Sequence, residues 1–239
     1  MIVPRLRAGC AAVACSAMSL GAGPSAQADT VFTPTLPNGQ KVYLSQACHN
    51  RGGPACVTNT GCFGYSENAG SAKIAASALH SLLGGGGLLE RGYTVRIGDG
   101  LTEENISNSN DWGSTMHIPI HSNARDEPNC TAPFTATNGG TQTMHVSTSG
   151  QELADQLLAA IGPSSPGTSD TTVRRTDLGE LNDTNMPAAY LEAAYHTYGP
   201  DTNWLNNPTS WSWGIGAGVD ACRGYPRAGV ITLPKKCTW

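Results

Sequence analysis

The sequence predicts an α/β domain built on a parallel, doubly wound sheet. Three observations carry that expectation. β-prone segments and helical segments follow one another as strand, helix, strand, connection, strand, the order that right-handed crossovers produce. No internal repeat or coiled coil interrupts the 239 residues, and no segment reads as a linker. Polar groups and histidines fall just past strand ends, where an open parallel sheet gathers its ligands.

The N-terminus comes first. Arg5 and Arg7 precede a small, apolar run over residues 8–22, and Ala26-Gln27-Ala28 is a small-x-small cleavage site. Residues 1–28 therefore read as a secretory signal peptide, too short and too weakly apolar for a membrane span. The mature chain, 29–239, is expected outside the cytoplasm with no membrane attachment, as a monomer. The whole chain carries a net charge of −4, and losing Arg5 and Arg7 makes it more acidic still. An acidic surface argues against nucleic acid as a partner. Cys48, Cys56, Cys62, Cys130, Cys222 and Cys237 remain after cleavage, an even set without the paired C-x-x-C spacing of structural zinc. We expect loops stapled by disulfides: Cys56 with Cys62, Cys222 with Cys237, and by remainder Cys48 with Cys130.

Residues 29–39 form a polar lead-in, and KVYLSQ (Lys41–Gln46) alternates as the first strand. It runs into Ala47-Cys48-His49-Asn50 and a loop rich in Gly, Pro and Cys as far as Tyr65. Ser66, Glu67 and Asn68 open an alanine-rich helix expected to run to Leu83, with Ile74, Ala78 and Leu82 as its buried stripe and Gly84 to Gly87 as its stop. Residues 93–97 (YTVRI) are the second strand, and 103–111 suit a short helix or loop. Residues 115–121 (TMHIPIH) form the third strand, followed at once by Ser122 and Asn123. Residues 141–146 are a fourth, shorter strand, and QELADQLLAAI (151–161) is a helix with Leu153, Leu157 and Ile161 on one face. Periodicity leaves 187–195 (PAAYLEAAY) open between helix and strand. Residues 211–224 are helical, and 228–233 are an edge strand.

Within that frame His49 lies past the first strand, His121 at the exit of the third, and Glu192 on a late apolar run, with Glu67 at the start of the first helix on the same rim. Each has an ordinary explanation: a loop histidine, a strand-end histidine, a surface carboxylate, a helix cap favoured by the dipole. If the run holding Glu192 is a buried strand, however, an unpaired carboxylate there costs several kcal/mol and needs a partner or a task. Two histidines and a carboxylate make a common catalytic zinc set with its fourth position left to water, and a further carboxylate can carry the proton. Together the four residues point to a metal-dependent hydrolase of amides.

The same residues resemble those of the zinc-dependent N-acetylmuramoyl-L-alanine amidases, cell-wall hydrolases of the amidase-3 type. The matching pieces are the strand-end His49, Glu67 in GYSENAGSAKIA, His121 in IPIHSNA and Glu192 in MPAAYLEAAY, over roughly residues 41–225. The resemblance implies an α/β fold with a mostly parallel, mixed sheet flanked by helices. It implies Zn2+ on His49, Glu67 and His121, with Glu192 as the catalytic base. It also implies a peptidoglycan or muropeptide substrate, cut at the amide between the lactyl group of N-acetylmuramic acid and L-alanine. Cys48-His49-Asn50-Arg51 departs from the glycine-flanked G-H-G-G of that family, and Tyr195-His196-Thr197 departs from its Phe and Asn.

The remaining histidines read first as packing groups. His117 shares a strand face with His121 but is expected to be a satisfied core residue. His80 is expected to be structural, and His145 and His196 to play packing or surface roles. Trp204, Trp211 and Trp213 suit core packing at least as well as sugar stacking. Two rival functions stay open: a non-catalytic peptidoglycan-binding protein on the same scaffold, and a zinc peptidase cutting within the stem peptide.

Overall fold

The computed structural model describes residues 29–49, 56–125, 128–131, 139–224 and 235–239. The expected signal peptide (1–28) and edge strand (228–233) lie outside the described residues. One seven-stranded sheet organises the rest, in the order β1-β3-β2-β4-β7-β5-β6. Its strands are β1 (Thr30–Phe32), β2 (Lys41–Gln46), β3 (Thr94–Gly98), β4 (Met116–Asn123), β5 (Gln142–His145), β6 (Thr171–Arg174) and β7 (Tyr190–Tyr195). β3, β2, β4 and β7 run parallel, β1 runs against β3 at one edge, and the β5–β6 pair runs against β7 at the other. The sheet is mostly parallel and mixed, as expected.

The helices are α1 (Glu67–Leu79), α2 (Thr102–Trp112), α3 (Thr148–Ile161), α4 (Gly179–Asn182), α5 (Gly199–Leu205) and α6 (Trp213–Arg223). After β2 the chain crosses through α1 to β3 on one side, then through α2 to β4 on the other side of β2. The gap between the carboxyl ends of β2 and β4 is thus a topological switch point, the place where such sheets hold ligands.

Alternation gives the sheet two unlike faces. Val42 and Leu44 on β2, Met116, Ile118 and Ile120 on β4, and Leu191 and Ala193 on β7 are fully buried in one cluster with Ile74 of α1, Leu153 and Leu157 of α3, and Ile215 and Val219 of α6. Each Leu or Ile removed from water in this way contributes roughly 1.5–3 kcal/mol. The other face carries Tyr43, Ser45, His117 and His121, buried but polar. There α2 and α4 supply Asn105, Ser109 and Glu180 to that buried polar layer.

Several expectations need correction. The lead-in is not wholly irregular, since Thr30–Phe32 pairs with β3. Helix α1 ends at Leu79 rather than Leu83, so Ile74 and Ala78 are buried while Leu82 is fully exposed. The cause is Glu90, whose carboxylate binds His80 at 2.6 Å and accepts from the amides of Ser81 and Gly87, giving the chain partners outside the helix before the turn at Gly84 to Gly86, all at positive φ. The 187–195 segment resolves as strand β7, buried against neighbours on both sides. β6, α4 and α5 fall where no clear periodic signal can be read, each being seven residues or fewer.

The disulfides are Cys48–Cys56, Cys62–Cys130 and Cys222–Cys237. Only the last matches expectation. Val57 donates its amide to the His49 carbonyl at 2.8 Å, an antiparallel bridge that sets Cys56 beside Cys48. Cys62 donates to the His196 carbonyl at 2.8 Å, and Asn129 donates to the Thr197 carbonyl at 2.7 Å, so Cys62 and Cys130 meet over the exit of β7. No described helix is long and apolar enough to cross a membrane.

Candidate metal centre

His49, Glu67 and His121 come together at the switch point, each offering a ligand atom within 4.8 Å of the others. Three different elements deliver them. His121 stands near the end of β4, the central strand, where buried neighbours on both sides fix its backbone. His49 follows β2 on a short loop. Glu67 is the first residue of α1, but it does not cap the helix. Its Oε2 lies 2.9 Å from His49 Nε2 and accepts from Asn59 Nδ2 at 2.8 Å. Its Oε1 lies 3.0 Å from His121 Nδ1 and accepts from the Ser122 amide at 3.2 Å.

The electrostatics follow from burial and these contacts. Burial pushes the Glu67 carboxyl up, but hydrogen bonds from His121 and His49 outweigh it and hold the group well below the usual carboxylate range. Burial lowers the His121 imidazole, yet the Glu67 hydrogen bond and the charges of Glu192 and Glu67 leave it raised. Tyr190 stacks on His121 with ring centroids 4.4 Å apart and fixes the imidazole plane.

Glu192 pairs in register with His121 across the β4–β7 ladder, so its side chain leaves the sheet on the same face. Its Oε2 is enclosed and has no hydrogen-bond partner among the described residues. Burial pushes its carboxyl up to about 7, against the pull of His121. A half-buried carboxylate with an enclosed, unpartnered oxygen beside two histidines and a carboxylate is costly unless the site holds a cation or moves a proton. The donor set, two imidazole nitrogens and a carboxylate, is the one that zinc takes in hydrolytic sites, and the residues present fit that ion.

The other histidines lie apart from this cluster. His117 is a fully buried core residue: its Nδ1 is 2.9 Å from Ser109 Oγ, its Nε2 3.3 Å from Glu180 Oε1, and Tyr43 stacks on its ring. His196 lies 2.9 Å from Ser122 Oγ and stacks on Tyr65. His145 meets the Ser147 carbonyl at 3.2 Å. Trp204 and Trp211 stack on each other at 4.0 Å within the core. Asn59, Tyr190 and Glu180 support the site without any sequence signal that singles them out.

No protein-family model matches the sequence, and no curated protein matches it. Solved structures do. The catalytic domain of CwlV, an N-acetylmuramoyl-L-alanine amidase from Bacillus (Paenibacillus) polymyxa var. colistinus, superposes with a TM-score of 0.60 at 15% identity, over 75% of this chain and 96% of that one. The N-acetylmuramoyl-L-alanine amidase of Clostridium difficile 630 gives 0.58 at 19% identity, over 76% and 95%. The apo form of the amidase Ami1 from Mycobacterium abscessus gives 0.56 at 12% identity, over 77% and 98%. The chain shares the fold of these amidases. The likeness spans nearly all of each neighbour.

Proposed function

We propose that this chain is an exported, zinc-dependent N-acetylmuramoyl-L-alanine amidase that hydrolyses the amide between the lactyl group of N-acetylmuramic acid and L-alanine in peptidoglycan. The observation that carries the reading is the convergence of His49, Glu67 and His121 with Glu192 in register beside them. The shared fold supports it, because every named neighbour above is an amidase of this linkage. Export is supported by the signal-like residues 1–28 and by three disulfides, which persist in oxidising compartments.

His49, Glu67 and His121 would hold the ion. Zinc bound there supplies Lewis acidity, lowering the pKa of water towards ~7 and polarising the scissile carbonyl. Glu192 is the proton carrier. Its enclosed Oε2 would take a proton from the attacking water and return it to the departing L-alanine nitrogen. Tyr190 keeps His121 oriented, and Asn59 with the Ser122 amide keeps both Glu67 oxygens in place.

The test is metal content and wall lysis for the wild type beside Glu192→Ala, with product analysis. One zinc per chain in both proteins, lysis by the wild type alone, and a new L-alanine amine among the products are expected. Absence of zinc together with absence of lysis would favour a binding protein, and equal lysis by both would take Glu192 out of the chemistry. A cut between two amino acids would favour a peptidase.

A further inference from the structure

A cavity of about 200 Å³ opens beside the two histidines, walled by His49, His121, Tyr190, Thr102, Leu178 and Glu180. One of its walls is a carboxylate that no step above uses. Glu180 lies in the short helix α4 and is 4% exposed. His117 Nε2 sits 3.3 Å from its Oε1, and His117 is itself fixed by Ser109 and by the Tyr43 ring. Burial pushes the Glu180 carboxyl up, but the His117 hydrogen bond and charge, with help from Ser45, hold it below the ordinary range. The group is therefore ionised at neutral pH. A neutral amide would satisfy His117 as well and cost less to bury. A carboxylate has about four acceptor positions, more than His117 and Ser45 occupy.

The rest of the wall says what can enter. Among the described residues it holds no lysine or arginine, one threonine hydroxyl, the Tyr190 ring and an aliphatic leucine. A second carboxylate brought in beside Glu180 would meet like charge at low dielectric. A neutral group bearing N–H donors would find an anionic acceptor and apolar contacts.

We propose that Glu180 makes this cavity a subsite for a stem-peptide carboxamide, accepting its N–H donors, and turns away a stem peptide with a free carboxylate at the same point. The inference rests on the amidase reading for its substrate class. It makes Glu180 a specificity-determining residue: it touches substrate away from the reacting amide.

The experiment is calorimetric binding of two product fragments to the zinc-loaded protein: L-alanyl-D-isoglutamine and L-alanyl-D-glutamate, both capped as the γ-methylamide. Wild type is expected to bind the carboxamide at least about tenfold more tightly. In Glu180→Gln that ratio is expected to fall to within about twofold, with zinc content and melting temperature retained, because glutamine still accepts from His117. Thr102→Val keeps the charge in place and is expected to keep the ratio while weakening both ligands, which tests the charge even if the Glu180 variant folds poorly. Equal affinities in the wild type, binding of neither fragment, or an unchanged ratio in Glu180→Gln would overturn the inference. Each of these leaves the amidase reading to stand or fall separately on whether intact wall yields new L-alanine amines.

Discussion

The two faces of the sheet are made from the same strands by alternate residues, and they differ in almost everything else. On one face Leu44 pairs with Ile118 and Ile120 with Leu191, all buried against α1, α3 and α6. On the other Tyr43 pairs with His117 and His121 with Glu192. The apolar face is non-directional: any close-packed aliphatic set fills it, and its contribution scales with area. The polar face is directional, each buried group needing a partner at a defined angle, and its failures are expensive. β4, with both faces buried, joins the two. Its aliphatic side makes the rigid floor on which its histidine side can afford an incompletely satisfied carboxylate next door.

The sharpest way to break that division is Glu192→Gln. If the polar face serves chemistry, hydrolysis is expected to fall by about 10²–10⁴-fold, the range a positioned proton carrier supplies. Zinc binding is expected to persist, and the melting temperature to hold or rise, because an enclosed carboxylate oxygen with no partner among the described residues has been removed. A fall in stability without a fall in turnover would sink the assignment. Leu157→Ala is the converse test on the apolar face. It deletes a fully buried side chain of α3 and is expected to cost roughly 2–5 kcal/mol in denaturant unfolding. Below the transition, zinc affinity is expected to be unchanged; a loss of zinc in the folded variant would show that the two faces are not separable.

A smaller effect comes from the proton on Glu192 in the zinc-free protein. Its folded carboxyl stands near 7, above the ordinary carboxylate value, so the folded state binds more protons than the unfolded one between those values. Stability therefore falls as pH rises through that window, by on the order of 3 kcal/mol if the full shift is expressed. Glu192→Gln removes the slope. Melting of both zinc-free proteins from pH 4.5 to 8 checks it, and parallel curves would mean that the carboxylate has a partner.

Most of the apolar face was legible in the sequence, because alternation and helical spacing are direct statements about which residues share a side. Leu153, Leu157 and Ile161 behave as their spacing says, and Leu82 fails only because Glu90 stops α1 a turn early. His49 and His121 stood out by their positions past or at strand ends, and Glu67 and Glu192 through resemblance; the structure brings His49, Glu67 and His121 within 4.8 Å of one another. What surrounds them was not legible. Glu180 lies in a four-residue helix with no period to read, and its partner His117 is 63 residues away. The disulfides depend on which loops meet over β7, and spacing along the chain carries no information about that.

The smallest expected effect concerns the one candidate ligand that neither face holds. His121 rides on β4 and Glu67 on α1, whereas His49 sits on a loop with its side chain 32% exposed. Its tethers are the Cys48–Cys56 disulfide immediately before it and the hydrogen bond from the Val57 amide to its carbonyl. Where the amidase motif that this site resembles has flanking glycines, this chain has a covalent clip that narrows the range of His49 positions before any ion binds. Replacing both Cys48 and Cys56 by serine is expected to weaken zinc binding by about tenfold, the scale on which a lost supporting contact acts at a metal site. The fold is expected to survive, since Cys62–Cys130 and Cys222–Cys237 remain. Replacing Cys222 and Cys237 by serine is the control, lowering the melting temperature while leaving zinc affinity alone. If competition with a chelator gives the same zinc affinity for both double variants, then the Val57 hydrogen bond and the hydrogen bond to Glu67 suffice to position His49, and the clip belongs with the apolar face as a stabiliser of the fold.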